Sequence, residues 1–204
     1  NLNAWATEDT PLHAMTVFKE VEPFIDEDSI LIFDGGDFVQ WGRGYLKAQK
    51  KGHWLRLGPL SHLGFGLPYA LSAKLAYPDS KVFLFMGDGS IGFYAMEYDT
   101  ALRHKLPFLT ILGNDSTWSI DKHFQLAYFG RAVATDLRDV RYDRVVQAIG
   151  GYGEHVDQAS QLSSAIQRAI ESNLPSLVDI KIRPAQSPLA DAMVARRRGT
   201  RQSS

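Results

Sequence analysis

The chain alternates two kinds of apolar pattern. Short β-rich runs stand at 30–33, 82–86, 108–112, 153–156 and 176–182, the first three nearly unbroken in apolar residues. They are rich in β-branched and aromatic residues and predict strands. Stretches with helical spacing fill the gaps at 12–22, 38–47, 62–76, 94–104, 142–149 and 158–172. In the last of these, Leu162, Ile166, Ala169 and Ile170 share one face. Strands alternating with helices predict an α/β fold, a mostly parallel sheet with helices on both faces. Unbroken apolar strands agree, because such strands are buried on both sides. No internal repeat or low-complexity block interrupts the pattern.

The pattern also sets boundaries. Residues 1–10, which begin at Asn1, read as a linker, and residues 11–183 as one domain. After Pro184 the chain becomes "AQSPLADAMVARRRGTRQSS", a tail with Arg196, Arg197, Arg198 and Arg201. The expectation is a piece of a longer polypeptide or a processed subunit. Composition narrows the partners. A net charge of −1 gives no basic field to draw nucleic acid. No apolar run approaches the ~20 residues that cross a bilayer, so no membrane partner is expected. Cysteine is absent, which excludes disulfides, thiolate metal sites and a cysteine nucleophile, and fits a cytoplasmic location. His13, His53, His104 and His155 show no metal-ligand spacing.

Candidate chemistry appears at two strand ends. "GDGSIG" (87–92) follows one apolar run and "GNDSTW" (113–118) follows the next. In a parallel sheet, ligands sit beyond the carboxyl ends of the strands. Neighbouring strands would bring Asp88 and Asp115 together there. Gly87 and Gly89 let backbone approach a ligand, and Ser90 and Gly92 lead into a helix start that favours phosphate. A hard divalent cation, Mg2+, would bridge the two acids and a diphosphate. Each motif alone is also an ordinary turn. Their pairing, each behind its own strand, carries the reading.

These residues resemble thiamine diphosphate-dependent enzymes of the acetolactate synthase and 2-hydroxyacyl-CoA lyase group. The similarity rests on "GDGSIGFYAMEYDTALRHKLPFLTILGND", "DGGDFVQWGRGYL" (34–46) and "GPLSHLGFGLPYALSAKLAYPDSKVFLFMGDG" (58–89). It implies the carboxy-terminal cofactor domain, with thiamine diphosphate and Mg2+ as cofactors. It implies Asp88, Asp115 and Thr117 as metal positions, Thr117 through its backbone carbonyl. Asp115 stands where relatives usually carry Asn. It also implies cofactor contacts at Gly36, Asp37, Phe38, Gly87, Gly89 and Ser90. Leu63 matches the apolar wedge under the bent cofactor, and the neighbouring His62 could approach it. Trp118, Ser119 and Ile120 fall in the stretch that lines the entrance to the reactive carbon. Of the residues beyond them, Asp121, His123, Gln125 and Tyr128 complete that stretch.

The glutamate that protonates the cofactor's aminopyrimidine comes from another domain in this family. Nothing here matches it, and Glu97 reads as structural. The catalytic group is therefore unknown, and a pyrimidine-binding domain or segment is an expected partner, in a dimer or tetramer. The expected activity is 2-hydroxyacyl-CoA cleavage or the reverse condensation. Acetolactate synthase-like or 2-oxoacid decarboxylase chemistry is the alternative. A non-catalytic cofactor-binding subunit is the alternative of another class. A dinucleotide oxidoreductase is disfavoured, because "DGGDFVQWG" has the wrong glycine spacing. The arginine tail reads either as a lid gripping the phosphates of an acyl-CoA or as a solvated terminus.

Overall fold

The computed structural model describes residues 2–7, 9–56 and 62–202, with the side chains of 2–3 and 197–202 outside the description. Six strands form one sheet: β1 (Ile30–Asp34), β2 (Trp54–Leu55), β3 (Val82–Gly87), β4 (Leu109–Asn114), β5 (Tyr152–Val156) and β6 (Ser176–Lys181). Every pairing is parallel, in the order β2-β1-β3-β4-β6-β5. β1 pairs with β3 from Ile30↔Val82 to Asp34↔Met86, and β3 with β4 from Phe83↔Leu109 to Gly87↔Gly113. The register brings the ends of β1, β3 and β4 level with one another.

Nine helices flank the sheet among the described residues: α1 (Ala14–Val21), α2 (Asp37–Tyr45), α3 (Gly66–Ala76), α4 (Asp88–Ile91), α5 (Glu97–Arg103), α6 (Ser119–Phe129), α7 (Tyr142–Ile149), α8 (Ala159–Glu171) and α9 (Pro188–Gln202). Successive strand residues face opposite sides. Leu31, Phe33, Phe83, Phe85 and Ile111 pack with α1, α2 and α8. Ile30, Ile32, Leu84, Met86 and Leu112 pack with α3, α5 and α7. Two apolar layers therefore cover the sheet, as unbroken apolar strands require. No described helix is long and apolar enough to cross a membrane.

One polar contact sits inside the second layer. Tyr98 is fully buried and donates to Thr110 Oγ1 at 2.7 Å. Tyr98→Phe strands that hydroxyl and is expected to cost about 1–2 kcal/mol. Urea unfolding checks it, with a lower midpoint at unchanged slope.

The structure differs from the pattern in places. The helix expected at 62–76 begins at Gly66. Gly64 has φ +94°, and the amides of Gly64 and Gly66 donate to Asp34 instead of entering a helix. The helix expected at 94–104 is regular only from Glu97. β2 is two residues at a sheet edge, too short to leave a pattern. α6 was not expected. Ser119 is its only buried residue, so it carries no apolar stripe. The N-terminal segment is packed, with the Trp5 ring 5.6 Å from His13 and 5.8 Å from Trp41. The tail after Pro184 forms α9, with Ala190 and Val194 buried against α2 and α6. Of the tail arginines, the side chains of Arg197, Arg198 and Arg201 lie outside the described residues, as do positions 58–61 of the third similar segment.

Candidate functional site

The turns after β1, β3 and β4 enclose a cleft of about 260 Å3. Its place follows from the strand order. The chain runs from β1 to β2 on one side and resumes at β3 on the other, so the connections diverge above β1 and β3. Gly35 lets the turn after β1 lie close against the turn after β3. It has φ +133°, and a Cβ there would lie 3.2 Å from both Gly87 N and Ser90 Oγ.

Thirteen of the residues expected at a cofactor line this cleft: Gly36, Asp37, Phe38, Leu63, Gly87, Asp88, Gly89, Ser90, Asp115, Thr117, Trp118, Ser119 and Ile120. His62 does not. It is exposed, with Nδ1 3.0 Å from Leu63 O and its ring 6.4 Å from Tyr94. Gly35 and Gly113 line the cleft without having been singled out, and Asp121, expected in the entrance stretch, lines it as well. Asp34 was missed too. It ends β1, is fully buried, and accepts from Gly64 N and Gly66 N at 3.2 and 2.8 Å. It thereby holds the Leu63 turn against the sheet. The signal was available in "DGGD", where an acid closes an apolar run.

The two central acids are held differently. Asp88 is 4% exposed, its Oδ1 accepts from Gly89 N, and its Oδ2 is buried with no partner. Burial and the facing Asp115 push its pKa up to about 7. Asp115 accepts from Thr117 N at 3.2 Å and from Ser119 Oγ. Burial raises it to about 6, against the pull of those two hydrogen bonds. The loop that presents Asp115 is fixed from behind. Trp118 N and Thr117 Oγ1 both donate to Thr135 O at 2.7 Å, and Leu137 N donates to Ser116 O at 2.8 Å.

Among the described residues four carboxylates line the cleft, Asp37, Asp88, Asp115 and Asp121, and no lysine, arginine or histidine does. A buried acid facing a half-buried one without a cation needs a proton or a metal ion between them. All-oxygen donors suit a hard divalent cation. The helix expected straight after Ser90 is only the four-residue α4. The amides open to an anion belong instead to α2 and α6, whose first residues line the cleft and whose N-caps, Gly36 and Trp118, make no side-chain capping bond. The donor set therefore fits a metal-linked diphosphate. Over the cleft, a Cβ on Gly89 would lie 2.7 Å from the Trp118 ring, so the first turn and the indole touch.

A second cluster lies behind this wall. Asp143, His155 and Asp179 offer ligand atoms within 4.8 Å of one another. Arg141 occupies both oxygens of Asp143, while Asp179 accepts from Asn114 Nδ2 at 3.1 Å and Tyr142 N at 3.0 Å. This is an ion-paired network that braces the residue before Asp115. Sequence spacing could not show it, because its members come from α7, β5 and β6.

Comparison with known proteins agrees with the geometry. The family model "Thiamine pyrophosphate enzyme, C-terminal TPP binding domain" matches residues 34–180. The chain is 40% identical over 176 residues to a probable acetolactate synthase of Mycobacterium bovis, which covers 86% of this chain and 32% of that protein. It is 38% identical over 149 residues to the 2-hydroxyacyl-CoA lyase 2 of Caenorhabditis elegans, covering 73% and 23%. The Xenopus laevis 2-hydroxyacyl-CoA lyase 2 is 40% identical over 154 residues, covering 76% and 24%. The chain thus spans about a quarter to a third of the length of these relatives. The matched span takes in well over half of the 204 residues, and the chain belongs to the family of C-terminal TPP-binding domains of thiamine pyrophosphate enzymes.

Proposed function

We propose that this cleft seats the diphosphate of thiamine diphosphate against a Mg2+ ion, within an enzyme that makes or breaks a carbon–carbon bond. The observation that carries the reading is the buried, partnerless Asp88 Oδ2 facing Asp115 in a cleft that no basic side chain lines among the described residues. Asp88, Asp115 and the backbone carbonyl of Thr117 would hold the ion. The first amides of α2 and α6 would meet the phosphate oxygens. Leu63 would support the rings as an apolar surface. When bound, thiamine diphosphate supplies a nucleophilic thiazolium carbon that also serves as an electron sink. The residues of this chain bind, orient and shield. Trp118 and Phe93, whose ring centroids are 6.3 Å apart, cover one side of the cleft.

The aminopyrimidine must be met by a glutamate this chain does not place in the cleft. Phe93, Tyr94 and Met96 are 56%, 41% and 68% exposed just past the first turn. We take this apolar rim as the seat of a pyrimidine-binding domain, in a dimer or tetramer. The substrate we favour is a 2-hydroxyacyl-CoA, cleaved to formyl-CoA and an aldehyde or ketone. The lyase names among the relatives support it. The wider coverage by the synthase relative favours acetolactate formation as the second reading.

Titration calorimetry tests the seat. Thiamine diphosphate is expected to bind with Mg2+ and to lose at least ~10-fold in affinity with a chelator. Equal binding in both conditions would sink the metal-linked cleft. Incubating the intact protein with a 2-hydroxyacyl-CoA, and separately with pyruvate, decides the substrate. Formyl-CoA release supports the lyase, and pyruvate consumption alone supports the synthase.

A further inference from the structure

The cleft's remaining acid is not available to a metal ion. Asp37 opens α2, is 3% exposed, and has both oxygens committed. Oδ2 lies 2.6 Å from His123 Nδ1 on α6. Oδ1 accepts from Ser187 N at 3.0 Å, just before α9. A carboxylate can only accept, so the histidine ring N–H is the donor in this pair. Ser187 is itself fully buried, and its Oγ accepts from Ala190 N to start α9. One turn along α2, the Trp41 indole N–H donates to Ala185 O at 3.1 Å. Among the described residues, none of the 184–196 segment lines the cleft, whereas Asp37, Ile120 and Asp121 do.

We propose that Asp37 is a positioning residue that couples the cofactor cleft to the C-terminal strap formed by Ala185–Val194. The inference rests on the cofactor reading above. From the first turn of α2, one buried carboxylate bonds both to α6 and to the strap. α2 presents the amides of its first turn to the cleft. α6 brings Ile120 and Asp121 to the same cleft from the opposite side. The strap closes behind both. Charge-assisted bonds at a site this dry are strong and short, so displacing one partner of Asp37 shifts the others. A ligand seated between α2 and α6 fixes their separation, and with it the pocket of acceptors that holds Ser187. Coupling of this kind is reciprocal: cofactor tightens the strap, and a loosened strap weakens cofactor by the same factor.

Hydrogen exchange of the intact protein tests this, with calorimetry on the same sample to register binding. Thiamine diphosphate with Mg2+ is expected to slow exchange of the amides at 187–194 by about fivefold or more, although these residues lie outside the cleft. Ser187→Pro removes the N–H given to Asp37 and is expected to weaken cofactor binding by the same factor. Asp37→Asn keeps the shape and removes the charge, and is expected to lose the strap protection. Their combined effect on affinity is expected to fall well short of the product of the two. Binding with unchanged strap exchange overturns the coupling and leaves the cofactor reading standing. Multiplying effects of the two substitutions overturn it as well. Absence of any binding in the unaltered protein overturns the cofactor reading and the coupling together. If Asp37→Asn fails to fold, the Ser187→Pro comparison decides alone.

Discussion

Asp88→Asn is expected to abolish metal-linked cofactor binding while making the cofactor-free protein more stable. The two effects share one cause. The folded state holds a carboxyl whose pKa is raised from 3.8 to about 7 by burial and by Asp115. The folded form therefore keeps its proton more tightly than the unfolded chain does. Stability from this group is complete below pH 3.8 and is lost as pH rises toward about 7, where it levels off. Three pKa units correspond to at most about 4 kcal/mol at neutral pH. Asparagine keeps the shape without the charge, and a gain of about 1–3 kcal/mol is expected. Urea midpoints measured from about pH 4 to 8 check this, with the unaltered protein losing stability across the range and the variant much less. Binding moves the other way. Changes to groups merely adjacent to a metal ligand cost ~10–100-fold, so loss of the ligand is expected to cost at least ~100-fold. A variant that is less stable without cofactor, or that binds normally, would contradict the facing-acid account of the cleft.

Two glycines separate what the cleft needs from what the core needs. A Cβ at Gly113 would lie 2.4 Å from Cγ and Cδ2 of Phe38, a ring already stacked 4.9 Å from Phe18. Gly113→Ala is expected to cost about 2–4 kcal/mol by overpacking, and to push α2 and its cleft-facing amides outward. Thermal melting should fall, and cofactor affinity should fall at least ~10-fold. Gly87 lines the same cleft, yet a Cβ there would meet no protein atom within 4 Å, and its φ of −88° suits any residue. Gly87→Ala is expected to change stability by less than about 1 kcal/mol, because only ligand space is filled. Its cofactor affinity should nonetheless fall by ~10-fold or more. Equal melting losses for the two variants would mean that the space at Gly87 is not reserved for a ligand.

The amino-acid pattern by itself determined the central strands β1, β3 and β4 and their burial, because an unbroken apolar run has no other stable place than between two covered faces. It also placed two acids at one edge of that sheet. Asp88 and Asp115 close such runs, and a parallel sheet collects strand ends at one edge. What it left open depends on contacts between distant residues. Asp37 looks like a cofactor contact in the motif, yet its carboxylate turns to His123, 86 residues on, and to Ser187, 150 residues on. His62 sits beside Leu63 in sequence, but Asp34 gathers the amides of Gly64 and Gly66 and leaves His62 in solvent. α6 and α9 each bury too little apolar surface for a readable stripe, and Asp37 ties α6 and the residue before α9 to the fold through His123 and Ser187. Local pattern records what each residue does to its own backbone and to water. Which partner a buried carboxylate chooses is decided only when the sheet order has brought the candidates within reach.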